Sequence, residues 1–104
     1  MKAKCDPTDD AERRLLKCEK WAEGVEREET YARASEDCDI CGIPLAGKRF
    51  MVDGNTQLGG CMWACMCASC FFKTGEAIGW GKGQLYTQME NGKWLMTGGF
   101  PPAK

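Results

Sequence analysis

The chain has 104 residues, a formal net charge of −1 and no histidine. This length suits one small core, the missing histidine excludes acid–base catalysis and metal ligation by that residue, and the near-zero charge argues against tight non-specific DNA binding. Eight cysteines without an apolar N-terminal leader predict reduced thiols in a cytoplasmic protein. No apolar run approaches the roughly 20 residues that cross a bilayer, so we expect no membrane partner.

The first third of the sequence predicts a long, charged α-helix. Asp6 can cap its start, and Pro7 suits the first helical position. From there to about Glu36 the composition is mainly alanine, glutamate, arginine, leucine and lysine, which favour helices. Several acidic residues precede a basic residue by four positions, a spacing that stabilises exposed helices.

One face of this predicted helix carries a narrow apolar stripe, with Trp21 and Tyr31 beside it. Such a stripe requires something to pack against. It either covers the rest of the same chain or pairs two copies in a homodimer. We therefore predict an N-terminal charged amphipathic helix over residues 1–37 and a zinc-binding module with a C-terminal β-hairpin over residues 38–104.

Two cysteine pairs predict a metal site. Cys38 and Cys41 form a C-x-x-C motif that is followed directly by Gly42, the pattern of a zinc knuckle, in which glycine permits a left-handed turn. A second C-x-x-C joins Cys67 to Cys70. Four thiolates suit a closed tetrahedral site for Zn2+. Because a module this small has few large aliphatic residues, the ion would replace part of the core.

The segments around these pairs predict a small α+β module. Lys48–Val52 has the composition of a short strand, Asp53–Thr56 reads as a turn, and a second strand is predicted over about Cys61–Cys65. A helix is predicted to start at Cys67 and to end at Gly75. Knuckle, hairpin and helix in this order predict a treble-clef zinc finger, with a zinc ribbon as the alternative.

Four further cysteines have no assigned ligand role. Small buried hydrophobic side chains are the first interpretation, because free cysteine is commonly buried. The alternatives are a ligand exchange in which Cys65 replaces Cys67, a second metal, an iron–sulfur cluster or a redox pair. The four residues are Cys5, Cys18, Cys61 and Cys65.

The glycine-rich stretch Gly79–Gln84 contains Lys82 but not a phosphate-binding loop. Glu76 occupies the position five before Gly81 where the motif needs glycine, and Gly83 follows the lysine where it needs serine or threonine. We expect a tight loop that packs Trp80 or presents it to a partner.

The last part of the chain predicts a β-hairpin. Asn91-Gly92 is a strong hairpin turn, and it lies between the apolar segments Leu85–Glu90 and Lys93–Thr97. Tyr86 and Trp94 are predicted to form a cross-strand pair.

Four blocks in this order resemble the small four-cysteine zinc-finger proteins of phages, plasmids and other mobile elements. The resemblance covers about the last two thirds of the chain and leaves the N-terminal helix uncovered. It implies that the four paired cysteines bind zinc, and it implies no settled activity. The blocks are Cys38 and Cys41, Phe50 to Thr56, Trp63 to Cys70, and Gly81 to Tyr86.

These features favour a non-enzymatic accessory protein that binds a protein partner, because a closed zinc site made of cysteine leaves no position for water. A host-defence or transcription complex in the bacterial cytoplasm is the expected target, as in an anti-CRISPR-like role. The candidate contact residues are Trp21, Tyr31, Trp80, Lys82 and Trp94. The alternative is a nucleic-acid-binding regulator, with Trp80 stacking on a base. Its phosphate contacts would be Lys48, Arg49, Lys73, Lys82 and Lys93.

Overall fold

The computed structural model describes residues 9–19, 31–32, 36–57 and 62–100. These residues form a small α+β fold with two short helices and a five-stranded sheet. The elements are α1 (Asp10–Leu15), a 3-10 turn (Leu16–Cys18), β1 (Tyr31–Ala32), β2 (Phe50–Asn55), β3 (Trp63–Met66), α2 (Ala68–Thr74), β4 (Gly83–Gln88) and β5 (Trp94–Gly98).

The prediction of a long N-terminal helix is wrong. Asp9 caps α1 by accepting a hydrogen bond from the backbone N–H of Glu12 at 2.7 Å, but the helix has only six residues. After the 3-10 turn, Glu19 has an extended backbone. Tertiary contacts of this segment override its helix propensity, because Glu19 turns inward to bond the sheet. The predicted cap Asp6 lies outside the described residues.

The sheet is antiparallel throughout, with the strand order β1-β5-β4-β2-β3. Strand β2 pairs with β3 on one side and with β4 on the other. The predicted turn at Asp53–Thr56 is wrong, because β2 continues through Asn55. Gly54 serves a close approach of two backbones: a Cβ there would lie 2.7 Å from the Cα of Gly83.

The C-terminal hairpin is confirmed. Gly92 adopts a φ of +82° in the turn, and Asn91 accepts a side-chain hydrogen bond from the N–H of Lys93 at 2.9 Å. The predicted pairing of Tyr86 with Trp94 is wrong, since Tyr86 lies opposite Met96 and Trp94 lies opposite Gln88. A shift in register between Leu85 and Tyr86 accompanies this difference.

The two faces of the sheet differ in character. One face is fully apolar at its centre, where Val52 lies opposite both Met66 and Leu85, and each of these side chains is buried. Leu15 of α1 and Phe71 of α2 belong to the same core. The opposite face is more polar, with Asp53, Cys65, Gln84 and Tyr86 among its residues by the alternation of the strands.

No helix in the described ranges is long and apolar enough to span a membrane. The described part of the N-terminal third also gives the predicted helical homodimer no continuous stripe, because α1 ends at Leu15 and that side chain is completely buried. The homodimer stays a prediction.

Candidate metal centre

The first cysteine pair lies in a tight turn before β2. Gly42 has a φ of +80°, the left-handed conformation that the knuckle sequence predicts. Its N–H donates to the carbonyl of Cys38 at 2.9 Å, and the N–H of Cys38 donates to the carbonyl of Ile43 at 2.9 Å. These hydrogen bonds close the turn around Cys38 and Cys41.

The second pair lies at the start of α2. Cys67 caps this helix with an extended backbone, and its sulfur accepts a hydrogen bond from the N–H of Cys70 at 3.5 Å. The helix ends at Gly75 as predicted, with the N–H of Gly75 bonded to the carbonyl of Phe71. Because β3 leads directly into Cys67, the hairpin of β2 and β3 carries the second pair to the knuckle.

The four sulfurs of Cys38, Cys41, Cys67 and Cys70 all lie within 4.8 Å of one another and could hold a metal ion. The Sγ atoms of Cys41 and Cys67 are 3.8 Å apart. Two ligands about 2.3 Å from one zinc ion at the tetrahedral angle are separated by about 3.8 Å, so this spacing fits zinc. In the described chain, no other group of three or more cysteine, aspartate or glutamate side chains is close enough to hold an ion.

Backbone N–H groups point at the sulfur of Cys38. Ile40 donates to it at 3.4 Å and Cys67 at 3.3 Å. Such hydrogen bonds favour the negatively charged thiolate, which is the form that binds a metal. Backbone groups of the knuckle and of Cys67 therefore favour the thiolate of Cys38 before any metal binds.

The thiol pKa values follow from these contacts. Burial raises the pKa of Cys38, but backbone N–H groups outweigh burial and bring the pKa from 9.0 down to about 7. Burial also raises the pKa of Cys67 and of Cys70, and the hydrogen bonds that Cys70 shares with neighbouring sulfurs raise its pKa further. A divalent cation held by the four sulfurs would favour the thiolates and displace these protons.

The cysteine Cys65 lies outside this group of four. Its thiol is 3.9 Å from a carboxylate oxygen of Asp53, and its side chain packs against the core. Cys18 is half-buried beside the core. Cys5 and Cys61 lie outside the described residues, so their predicted roles stay predictions.

Asp39 is a contributor to the site that the sequence did not single out. Its N–H donates to the carbonyl of Cys65 at 2.8 Å, and its carboxylate accepts from the N–H of Cys65 at 2.8 Å. These two bonds fasten the knuckle to the outer edge of β3. An aspartate between two cysteines gives no sequence signal for this role, because the partner is 26 residues away.

The predicted contact residues are distributed unevenly. Trp80 is 55% exposed and Lys82 is exposed in the same loop. Trp94, another predicted contact residue, is only 7% exposed because it packs in the core. Trp21 lies outside the described residues. Tyr31 is described only by its backbone, which pairs with Leu95.

Two of the predicted phosphate contacts are engaged within the protein. Arg49 donates to Glu19 at 2.8 Å, and both side chains are mostly buried. Lys48 lies 3.8 Å from a carboxylate oxygen of Asp9. No protein family model, curated protein or solved structure matches this chain.

Proposed function

We propose that the protein is a non-enzymatic, zinc-binding accessory protein that acts by binding a protein partner. The observation that carries the metal part is the convergence of four cysteine sulfurs within 4.8 Å. Soft thiolate donors suit zinc and do not suit calcium or magnesium, which prefer oxygen ligands. Cys38, Cys41, Cys67 and Cys70 would hold the ion, which would supply a cross-link between the knuckle and α2.

A closed site of this kind supports a structural role for the ion. Four cysteine ligands complete a tetrahedral shell and leave no open position for water or substrate. The order of knuckle, hairpin and helix start supports the treble-clef interpretation, since one pair lies in a turn and the other in the first turn of α2. The ion then acts on function by fixing the surface around it.

The protein-partner proposal has support from the surface. Trp63 and Trp80 are 46% and 55% exposed, and Met62 is 50% exposed. Aromatic residues and methionine are enriched in protein interfaces. The nucleic-acid alternative is weakened because Lys48 and Arg49 lie in ion pairs with carboxylates, which reduces the charge they offer to phosphates.

The biological setting that we propose depends on the sequence resemblance alone. That resemblance, to proteins of phages and other mobile elements, makes a host-defence or transcription complex in a bacterial cell the proposed target. Inhibition by occlusion requires a rigid binding surface and no catalytic residues.

Metal content tests the first half of the proposal. Protein purified without added metal should contain one zinc ion per chain by elemental analysis and native mass spectrometry. Cys41→Ser should lower the content at least tenfold, because three ligands leave the tetrahedral shell incomplete. Cys18→Ser is the matched control and should keep the full content. A chain without zinc, or with iron at equal stoichiometry, would contradict the proposal.

Capture from a bacterial lysate tests the second half. The tagged zinc-loaded protein should retain one stoichiometric protein after nuclease treatment, and Trp80→Ala should weaken that capture. The double substitution of Lys48→Glu and Lys82→Glu should not release the partner protein, unless that partner is itself acidic. Recovery of nucleic acid without any protein partner would favour the regulator alternative.

A further inference from the structure

The polar face of the sheet gathers a second group of side chains at its β3 edge. Asp53 of β2 lies directly opposite Cys65 of β3 on one side and Gln84 of β4 on the other. Trp63 is two residues before Cys65 and therefore lies on the same face. Tyr86 has the same relation to Gln84, so these side chains share one patch.

Asp53 is the charged centre of this patch. Its carboxylate accepts a hydrogen bond from the thiol of Cys65 at 3.9 Å. Burial raises the pKa of Asp53, the neighbouring Trp63 indole acts to lower it, and the negative charge of Asp39 raises it further. Among the described residues, no lysine or arginine forms an ion pair with Asp53. The carboxylate of Asp53 is therefore available to a cation from outside the described chain.

Tyr86 provides a second, independent observation. Its side chain is only 7% exposed, but its hydroxyl is not among the buried polar atoms that lack a partner, so the oxygen reaches the surface. Burial raises the pKa of Tyr86, and the charges of Asp53 and Cys65 raise it further, which places the phenol in the field of that carboxylate. The buried ring therefore holds the phenol oxygen in place beside Asp53, where a ligand can reach it.

The residues of the patch suit an organic cation better than a metal ion. The carboxylates and Cys65 do not approach closely enough to hold an ion, since the four-cysteine group alone meets that condition in the described chain. Trp63, at 46% exposure, presents an aromatic surface that attracts ammonium and guanidinium groups. Met62, at 50% exposure, can cover the apolar stem of such a side chain.

We propose that Asp53, Trp63 and Tyr86 form a recognition site for an arginine or lysine side chain of a partner protein. The cation would donate hydrogen bonds to the Asp53 carboxylate, contact the Trp63 ring and donate to the Tyr86 oxygen. This inference rests on the protein-partner part of the proposed function, and it names the chemistry of the residue that the partner inserts.

Nuclear magnetic resonance on the zinc-loaded full chain tests the site directly. The probe is arginine amide, and citrulline amide is its neutral counterpart of nearly equal shape. The indole N–H signal of Trp63, assigned with Trp63→Phe, should shift in a saturable way with arginine amide. Citrulline amide should bind at least fivefold more weakly. Equal responses to the two compounds, or no response to either, would overturn the proposal.

Two controls make the result specific. The indole signal of Trp80, which is also exposed, should stay constant because it lacks the carboxylate at Asp53. Asp53→Asn should remove the preference for arginine amide, while Glu90→Gln, at an exposed carboxylate in the hairpin turn, should retain it. The comparison of the two amides on the unaltered protein holds even if Asp53→Asn does not fold. Failure here would leave the zinc content and lysate capture unaffected, so the two proposals can fail separately.

Discussion

Two side-chain clusters attach loops to this sheet, and they differ in how far apart their residues lie in the sequence. The sulfur cluster joins two pairs whose members are three residues apart, Cys38 with Cys41 and Cys67 with Cys70. The carboxylate cluster joins residues that are distant in sequence. Glu12 accepts from the N–H of Phe50, 38 residues away, and Glu19 accepts from Thr87, 68 residues away.

The clusters also differ in what completes them. The sulfur cluster brings together four thiols, which a cation would hold as thiolates. In the carboxylate cluster, both oxygens of Glu19 are bonded within the chain, because Glu19 accepts from Arg49 at 2.8 Å and from the Thr87 hydroxyl at 2.6 Å. The Thr87 hydroxyl also shares a hydrogen bond with Thr97 at 2.8 Å. Metal removal should therefore disrupt the sulfur cluster, whereas the carboxylate cluster should weaken only when one of its residues is substituted.

Loss of the metal should have the largest effect. A structural zinc ion contributes on the order of 10 kcal/mol of folding free energy, comparable with the total stability of about 5–15 kcal/mol of a small domain. Cys70→Ser, at a buried position, should therefore unfold residues 38–100, as should a strong chelator. Circular dichroism would record the loss of structure. Cys18→Ser is the control, and a native melting curve for Cys70→Ser would contradict the structural role.

Acidification should reproduce this effect more gradually. The pKa of Cys38 is lowered from 9.0 to about 7, so its thiolate favours the folded state at high pH and loses that contribution as the pH falls through about 7. Cys67 and Cys70, whose pKa values burial raises, take up protons at higher pH still and compete with the metal. Zinc affinity should fall continuously from pH 8 to pH 6, as measured by chelator competition. A constant affinity would exclude thiolate ligands.

The same contrast explains how much the sequence predicts. The Gly42 turn, the end of α2 at Gly75 and the hairpin turn at Gly92 depend on short-range signals, and each is confirmed. The grouping of the four cysteines likewise follows from two local motifs.

Long-range contacts account for the errors. The segment after α1 has a helical composition, but the helical structure ends before Glu19. The Glu19 carboxylate instead accepts hydrogen bonds from Arg49 and Thr87. Asp53-Gly54 has a turn composition, but the glycine is used where β2 passes close to β4. A short sequence pattern does not include the distant residue on the other side of each contact. It therefore cannot account for the free energy that these contacts contribute.

Within the carboxylate cluster, removal of the Glu19 side chain should lower the stability of the protein the most. This side chain is 5% exposed and that of Arg49 is 14% exposed, so Glu19→Ala leaves a mostly buried charge without this carboxylate. Breaking such a pair costs about 3–5 kcal/mol, which urea denaturation of the zinc-loaded protein would measure. Asp10→Ala removes the exposed pair with Arg13 and should cost under about 1 kcal/mol. Equal effects would show that burial does not distinguish these pairs.

Glu12 allows the smallest and most specific test, because charge and hydrogen bonding can be separated at one position. The side chain is 1% exposed, and its Oε2 accepts from the N–H of Phe50 at 2.8 Å. Glu12→Ala removes that acceptor from a buried amide and should cost about 1–3 kcal/mol. It should also speed hydrogen exchange at Phe50.

Glu12→Gln is the matched control, because its amide oxygen can accept the same hydrogen bond without a charge. It should retain most of the stability and the slow exchange at Phe50. If glutamine destabilised the protein as much as alanine, the negative charge itself would be the important property of Glu12. The N-terminal segment would then be held to the sheet by electrostatic attraction rather than by the hydrogen bond to β2, and its attachment would weaken with added salt.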